Sequence, residues 1–95
     1  MRIPPKIKIT KRVSYEILWV QEFHDCQHTL GECRPEEKQI VLKVGQTTDE
    51  LLKTLIHEIF HAMCFENRRL KLKHTDIYEL EDPIFNLLKL NGLLK

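Results

Sequence analysis

The 95-residue chain has few of the residues that mark several protein classes, and each shortage excludes one. Glycine and proline are scarce, and no repeat, low-complexity segment or linker divides the chain. Its three cysteines are an odd number without a disulfide-rich spacing, which predicts free thiols. No apolar run approaches the roughly 20 residues that a membrane span requires, and the first residues lack the apolar region of a signal peptide. The sequence therefore predicts a cytoplasmic protein without a membrane partner.

An excess of either charge is also missing. The formal net charge is +1, although 31% of the residues are charged. This balance argues against a broad nucleic-acid surface, and the ordinary apolar fraction of 42% argues against disorder. Basic runs at 6–8, 11–12 and 68–73 are interpreted as solvated faces and helix-end charges. We expect one domain over residues 1–95, with nucleic acid unlikely as a partner.

The first half of the chain, residues 1–46, has the pattern of strands and loops. Apolar and polar residues alternate within 7–20, and Trp19 and Phe23 are predicted core aromatics. A short strand is possible around Gly31 to Arg34, and Lys38 to Val44 is a compact strand that ends at Gly45.

Two helices are predicted in the second half, over 47–69 and 74–92. The first begins with a capping box, in which Thr47 accepts from the Glu50 amide. Apolar residues recur at helical spacing along it: Leu52, Leu55, Ile56, Ile59 and Met63. The second ends at Asn91-Gly92, and Pro83 is expected to kink it or to disturb its first turns.

The first predicted helix carries the pattern His57-Glu58-x-x-His61. Histidines four residues apart lie one turn from each other on the same helix face, so both imidazoles can reach one Zn²⁺ ion. The intervening glutamate lies close enough to act on a zinc-activated water without being a ligand. We therefore predict that His57 and His61 bind zinc and that Glu58 is the catalytic base.

A catalytic zinc site needs a third protein ligand, and the second predicted helix offers candidates. Glu81 is the predicted third ligand, because it shares a helical stripe with apolar Ile77, Ile84 and Leu88. A carboxylate on such a stripe is costly unless it has a partner, and zinc would be one. His74 is the main competitor, and Glu79, on the polar side, is a further alternative.

A second cluster of ligand types, His24, Cys26, His28 and Cys33, matches no common zinc-knuckle spacing. We interpret these four residues as scattered loop residues. Cys64, one turn beyond the motif, is interpreted as a small core residue.

From Thr54 to Asn91 the chain resembles a minimal gluzincin zinc metallopeptidase, of the minigluzincin type. The shared elements are Thr54-Leu55-Ile56-His57-Glu58-x-x-His61-Ala62 and a following helix that contains Leu80-Glu81. The resemblance implies an α+β fold, with a small antiparallel sheet of about three strands packed against an active-site helix and a C-terminal helix. It also implies zinc bound by His57, His61 and Glu81, with Glu58 as general base. The context around Glu81 departs from that of larger gluzincins.

The resemblance implies a zinc endopeptidase acting on peptides or protein. Because a domain of this size has no second lobe to wall the cleft, we expect weak or latent activity, in a monomer or weak self-associate. If residues 38–44 form an exposed edge strand, they would bind extended substrate there. His74 and Tyr78 are candidates for stabilising the oxyanion. Two alternatives remain: a SprT-like metalloprotease acting on DNA-associated protein with His74 as third ligand, and a non-catalytic zinc-stabilised binding domain. The intact Glu58 argues against the last.

Overall fold

A computed structural model describes residues 3–24 and 28–92 of the chain. Within these residues lie four strands and two helices: β1 (Lys6–Lys8), β2 (Ser14–Val20), β3 (Gly31–Arg34), β4 (Gln39–Lys43), α1 (Thr48–Glu66) and α2 (His74–Leu90). The predicted α+β class is confirmed. No helix within the described ranges is long and apolar enough to cross a membrane. Cys26, considered above as a metal ligand, lies outside the described residues.

The four strands form one mixed sheet in the order β1-β2-β4-β3. The β1–β2 and β3–β4 pairs are antiparallel, but β2 and β4 run parallel, with Ile17 opposite Ile40. The sheet therefore has four strands rather than about three, and it is not wholly antiparallel. After β2 the chain first forms β3 at the edge of the sheet. It then returns as β4, which lies between β2 and β3 and pairs with both.

The inserted position of β4 overturns the expectation that residues 38–44 form an exposed edge. β4 pairs on both sides, with β2 and with β3, and its residues Ile40, Val41 and Leu42 are buried. The edge on that side of the sheet is β3 instead.

The sheet, α1 and α2 are stacked in this order. α1 packs against β3 and β4, whereas α2 packs against α1 and against no strand of the described chain. The two helices run antiparallel, because Lys53 and Asp49 of α1 pair with Asp82 and Lys89 of α2 in the reverse order. α1 is consequently the central element, with one side on the sheet and the other on α2.

The core lies between the sheet and α1. It contains buried residues from both layers: Tyr15, Ile17, Ile40, Leu42, Leu55 and Ala62. The alternation of Tyr15 and Ile17 along β2 was predicted, but Trp19 on the same face is 46% exposed. The prediction of Trp19 as a core aromatic is therefore wrong, since this face is uncovered where β2 approaches its end.

Both ends of α1 are held by specific contacts. Thr47 is the N-cap and accepts from the Glu50 amide at 3.2 Å, as the capping box predicts. At the other end, Glu66 accepts from the Tyr15 hydroxyl at 2.7 Å and pairs with Lys38. The helix stops at Glu66 rather than at 69, because Asn67 has extended dihedrals and its side chain accepts from the Arg69 amide.

The first residue of α2 is His74, and Lys73 is its N-cap. The amide of Lys73 donates to the Asp76 carboxylate at 2.9 Å, so His74 is already the first helical residue. The helix runs continuously through Pro83, which leaves the Glu79 carbonyl without its usual helical donor. It ends at Leu90, and Asn91 and Gly92, with a positive φ of 67° at the glycine, form the predicted C-cap.

Candidate metal centre

Helix α1 places His57 and His61 one turn apart with their Nε2 atoms 3.2 Å from each other. Two nitrogens bound to one tetrahedral zinc ion at 2.0–2.1 Å lie about 3.4 Å apart. The spacing of the two imidazoles in this helix therefore already fits a shared ion. His57 and His61 are half-buried, as expected at the edge of the apolar stripe.

His74, the first residue of α2, completes a triangle of imidazoles. The ring centroids lie 4.8 Å apart for His57 and His61, 5.0 Å for His57 and His74, and 4.9 Å for His61 and His74. One ligand atom from each of the three lies within 4.8 Å of the others. His74 is exposed, so it can adjust its position. The described structure thus brings together a set of three histidines able to hold a metal ion.

Glu81 lies on the far side of His57 from this triangle. Its Oε2 atom is 2.7 Å from His57 Nδ1, whereas the contact with His61 uses Nε2. The short contact to a carboxylate places the ring proton on Nδ1 and leaves the lone pair of Nε2 free for a cation. Glu81 therefore reaches the site as predicted, but as the hydrogen-bond acceptor of a candidate ligand.

Burial favours a neutral imidazole at His61. The pKa of His61 is lowered by burial first, and then by the nearby His57 and His74. A neutral ring already has the lone pair that binds a metal. Metal binding therefore does not first have to remove a proton from His61.

Glu58 is the one buried charged residue among those described, with 7% of its surface exposed. Burial raises its pKa to about 7; positive charge on His57 would lower it, whereas Glu32 and Glu81 raise it further. Burial of a carboxylate is costly, and carboxyl groups with a pKa shifted in this way concentrate at functional sites.

The histidines and Glu58 line one open cavity of about 720 Å³. Its floor is α1, one wall is the segment 28–33 with the first three residues of β3, and the other wall is the first half of α2. This volume lies in the range of small-molecule and cofactor sites. Sequence reasoning missed the β3 wall, because nothing local to residues 28–33 reveals which helix they pack against.

Gly31 allows β3 to approach α1 closely. A Cβ atom at this position would lie 2.5 Å from Thr54 Cγ2 and 3.3 Å from both Cγ and Oε2 of Glu58. A glycine inside a predicted strand is a known sign of such an approach, and this signal was available in the sequence.

Gly31→Ala should therefore separate the wall from α1 and destabilise the protein by about 1–3 kcal/mol in urea unfolding. Thr54→Ser removes the clashing methyl and retains the hydroxyl, whose single hydrogen is shared between Gln46 Oε1 at 2.8 Å and the Glu50 carbonyl at 2.9 Å. The double variant should recover at least half of the loss, because the two changes are coupled through one contact. Additive effects of the two substitutions would refute this account.

The comparisons with known proteins give no match. Neither protein-family models, nor curated proteins, nor solved structures resemble the chain significantly. The interpretation of the site therefore rests on its own geometry.

The raised pKa of Glu58 predicts a pH-dependent stability in the metal-free protein. The folded protein holds this proton to higher pH than the unfolded chain, so stability falls as pH rises from about 4.5 to about 7. Glu58→Gln cannot titrate. Its stability relative to the wild type should rise by about 2 kcal/mol between pH 5 and pH 8.

Urea unfolding with a chelator present, at the two pH values, measures this difference. The exposed Glu79→Gln is the matched control and should show no such change. A pH-independent difference between wild type and Glu58→Gln would show that the Glu58 carboxyl titrates normally.

Proposed function

We propose that the protein is a zinc-dependent metallopeptidase, with His57, His61 and His74 as metal ligands and Glu58 as general base. The observation that carries this proposal is the triangle of imidazoles beside the buried carboxylate of Glu58, in one cavity. Glu81 has a different role here from that predicted by sequence: it orients His57 by accepting from Nδ1.

The donor set fits zinc better than magnesium or calcium. Imidazole nitrogens suit zinc and other transition metals, whereas magnesium and calcium prefer oxygen ligands. Three protein ligands leave a fourth position for water, which is typical of catalytic rather than structural zinc. Bound there, zinc would activate a water molecule near neutral pH and polarise the carbonyl of a scissile peptide.

The remaining chemistry falls to Glu58. Its position beside His57 on α1 and its exposure to the cavity suit it to take the proton from the attacking water. It can then deliver that proton to the amine that leaves. A pKa near neutrality helps both transfers, and a nearby cation would hold the carboxylate in its ionised form at pH 7.

An extended peptide would bind along β3, which replaces residues 38–44 as the proposed substrate edge. The Lys43 amide donates to the Leu30 carbonyl, so the backbone groups of every second residue from Leu30 face β4. Those of Gly31 and Cys33 then face outward at the free edge, next to the cavity. Pairing with such an edge binds peptides with little dependence on sequence.

A second candidate is the SprT-like metalloprotease acting on protein bound to DNA, because that class was expected to use His74. Four exposed cations also lack an ion pair among the described residues: Lys11, Arg12, Arg68 and Arg69. The near-zero net charge opposes this candidate. It requires that duplex or single-stranded DNA stimulate cleavage, and the leading proposal requires that it does not.

The proposal is tested by incubating the zinc-loaded protein with a mixed peptide library and identifying new termini by mass spectrometry. We expect cleavage that a chelator abolishes and added zinc restores. Absence of cleavage with zinc bound would favour the non-catalytic binding domain. We propose that the protein acts in the cytoplasm, because its cysteines do not follow a disulfide-rich pattern. Cys33 and Cys64 are free thiols.

A further inference from the structure

Residues 67–73, which join α1 to α2 and are called the basic segment below, carry free positive charge. The segment contains no carboxylate and four cations: Arg68, Arg69, Lys71 and Lys73. All four are exposed, and none makes an ion pair with a residue that the structure describes. The sequence pattern indicates helix-end charges here, but α1 ends at Glu66 and has no basic residue in its last turn. The four charges therefore lie beyond the turn in which they would stabilise the helix most.

The second half of the basic segment has the pattern of extended chain. Leu70 and Leu72 are half-buried, whereas Lys71 and Lys73 are exposed. This alternation is expected where successive side chains point to opposite sides of the backbone, and Lys73 has extended dihedrals (φ −80°, ψ 162°). Because Lys73 directly precedes His74, both lysines lie within about 12 Å of the His74 Cα atom. The leucines thus anchor the segment, and its two lysines stand beside the metal centre.

The cleft between β3 and the helices leads to the basic segment. Gly31, at the start of β3, approaches Thr54 of α1. At the other end of β3, Arg34 lies opposite the residue that follows Lys38, and Lys38 pairs with Glu66 in the last turn of α1. β3 therefore runs in the same direction as α1. A peptide paired with β3 would lie along α1, and one of its ends would reach the basic segment.

Pairing with the edge of β3 uses backbone groups, so it does not select among substrate side chains. The basic segment can supply that selection, since unpaired surface cations beside a groove attract acidic ligands. The carboxylates that flank the segment in the sequence are already engaged. Glu66 pairs with Lys38, and Asp76 accepts from the Lys73 amide.

We propose that the basic segment binds acidic side chains of the peptide substrate. The preferred peptides then carry Asp or Glu on the side of the scissile bond that points to the C-terminal end of α1. An extended chain advances about 3.3 Å per residue, which places these acidic residues within about four positions of the scissile bond. The inference rests on the proposed peptidase function and names its substrate class. Phosphates of nucleic acid are the less favoured ligand, because the net charge of the chain is only +1.

The test uses three peptides that share one cleaved core. One carries three Asp residues on the N-terminal side of the core, one carries them on the C-terminal side, and one has Asn at all these positions. Zinc content, kcat and KM are measured for the zinc-loaded protein. One acidic peptide, but not both, should have a kcat/KM about 5- to 20-fold above that of the Asn peptide, mainly through KM, because several exposed charge pairs each contribute little. Salt at about 0.5 M should remove most of this preference.

Lys71→Gln/Lys73→Gln should lose the preference and keep its zinc, because Gln retains the backbone amide of residue 73 that contacts Asp76. Lys6→Gln/Lys8→Gln is the matched control. It removes two exposed lysines of the same spacing from β1, at the opposite edge of the sheet from β3, and should retain the preference. Lys71→Glu/Lys73→Glu should invert it, so that peptides with Lys in place of Asp are cleaved faster.

Equal kcat/KM of the wild type on all three peptides would overturn the proposal while the peptidase function stands. Loss of the preference in Lys6→Gln/Lys8→Gln to the same extent as in Lys71→Gln/Lys73→Gln would also contradict it, since only the overall charge would then matter.

Binding decides if the wild type cleaves nothing and the peptidase proposal fails. The affinity of the zinc-loaded protein for fluorescein-labelled versions of the same peptides is measured by fluorescence anisotropy. Tighter binding of one acidic peptide, lost in Lys71→Gln/Lys73→Gln, supports the role of the basic segment, and equal affinity for acidic and Asn peptides overturns it. A single-stranded oligonucleotide that binds more tightly than either acidic peptide, and is released by the same double substitution, would assign the segment to nucleic acid and overturn the proposal.

Discussion

Glu58→Gln should bind zinc as the wild type does and lose peptide cleavage by about 10²–10⁴-fold in kcat. Gln has nearly the same shape as Glu, so the packing of Gly31 against residue 58 is kept. What is lost is the ability to take a proton from water and return it to the leaving amine. The substitution leaves the imidazoles of His57 and His61 in place, so zinc binding is kept.

The assay measures kcat and KM on one peptide after both proteins are loaded with zinc to the same stoichiometry. Glu79→Gln is the control, because Glu79 is an exposed glutamate on α2 that was an alternative ligand by sequence. It should retain zinc and full activity. Cleavage by Glu58→Gln at the wild-type rate would eliminate the proposed mechanism.

The helix that carries the motif could be predicted because its information is local. The four-residue spacing of His57 and His61, the cap at Thr47 and the apolar period all lie within one turn or two of each other. The position of Glu81 beside the site also followed from its helical stripe. These features depend on periodicity, which the sequence displays directly.

The remaining features depend on how distant segments meet. The parallel pairing of β2 with β4 requires β3 to lie outside β4, and no local pattern in residues 21–38 specifies this order. The path from Asn67 to Lys73 decides whether His74 or Glu81 faces the free lone pairs of the α1 histidines. That path is set by the Asn67 turn and the Asp76 contact, which the sequence shows only as ordinary loop residues.

His74→Ala and Glu81→Ala should have different effects on zinc affinity, and the difference identifies the third ligand. His74 lies in the triangle of ligand atoms, so its removal takes away a bond to the metal. We expect a loss of more than about 10²-fold in affinity. Glu81 contacts only the Nδ1 side of His57, and loss of such an outer hydrogen bond costs about 10–100-fold.

Glu81→Gln refines this comparison, because its amide oxygen can still accept from His57 Nδ1. In the orienting role it should lose less affinity than Glu81→Ala, whereas a direct carboxylate ligand would be poorly replaced by an amide. Zinc dissociation constants are measured by competition with a chromophoric chelator, and His24→Ala serves as the control for an exposed histidine outside the cavity.

A larger loss of zinc affinity in Glu81→Ala than in His74→Ala would instead support His57, His61 and Glu81 as ligands, the set that the gluzincin resemblance implies. If Glu81→Ala loses zinc as severely as His57→Ala, and His74→Ala retains it, then the metal lies toward Glu81, on the Nδ1 side of His57. The visible spectrum of the cobalt-substituted protein adds an independent measurement, since exchange of a nitrogen for an oxygen ligand changes the ligand field. A spectrum that changes in His74→Ala and persists in Glu81→Gln supports three imidazoles around one ion, with the fourth position left to water.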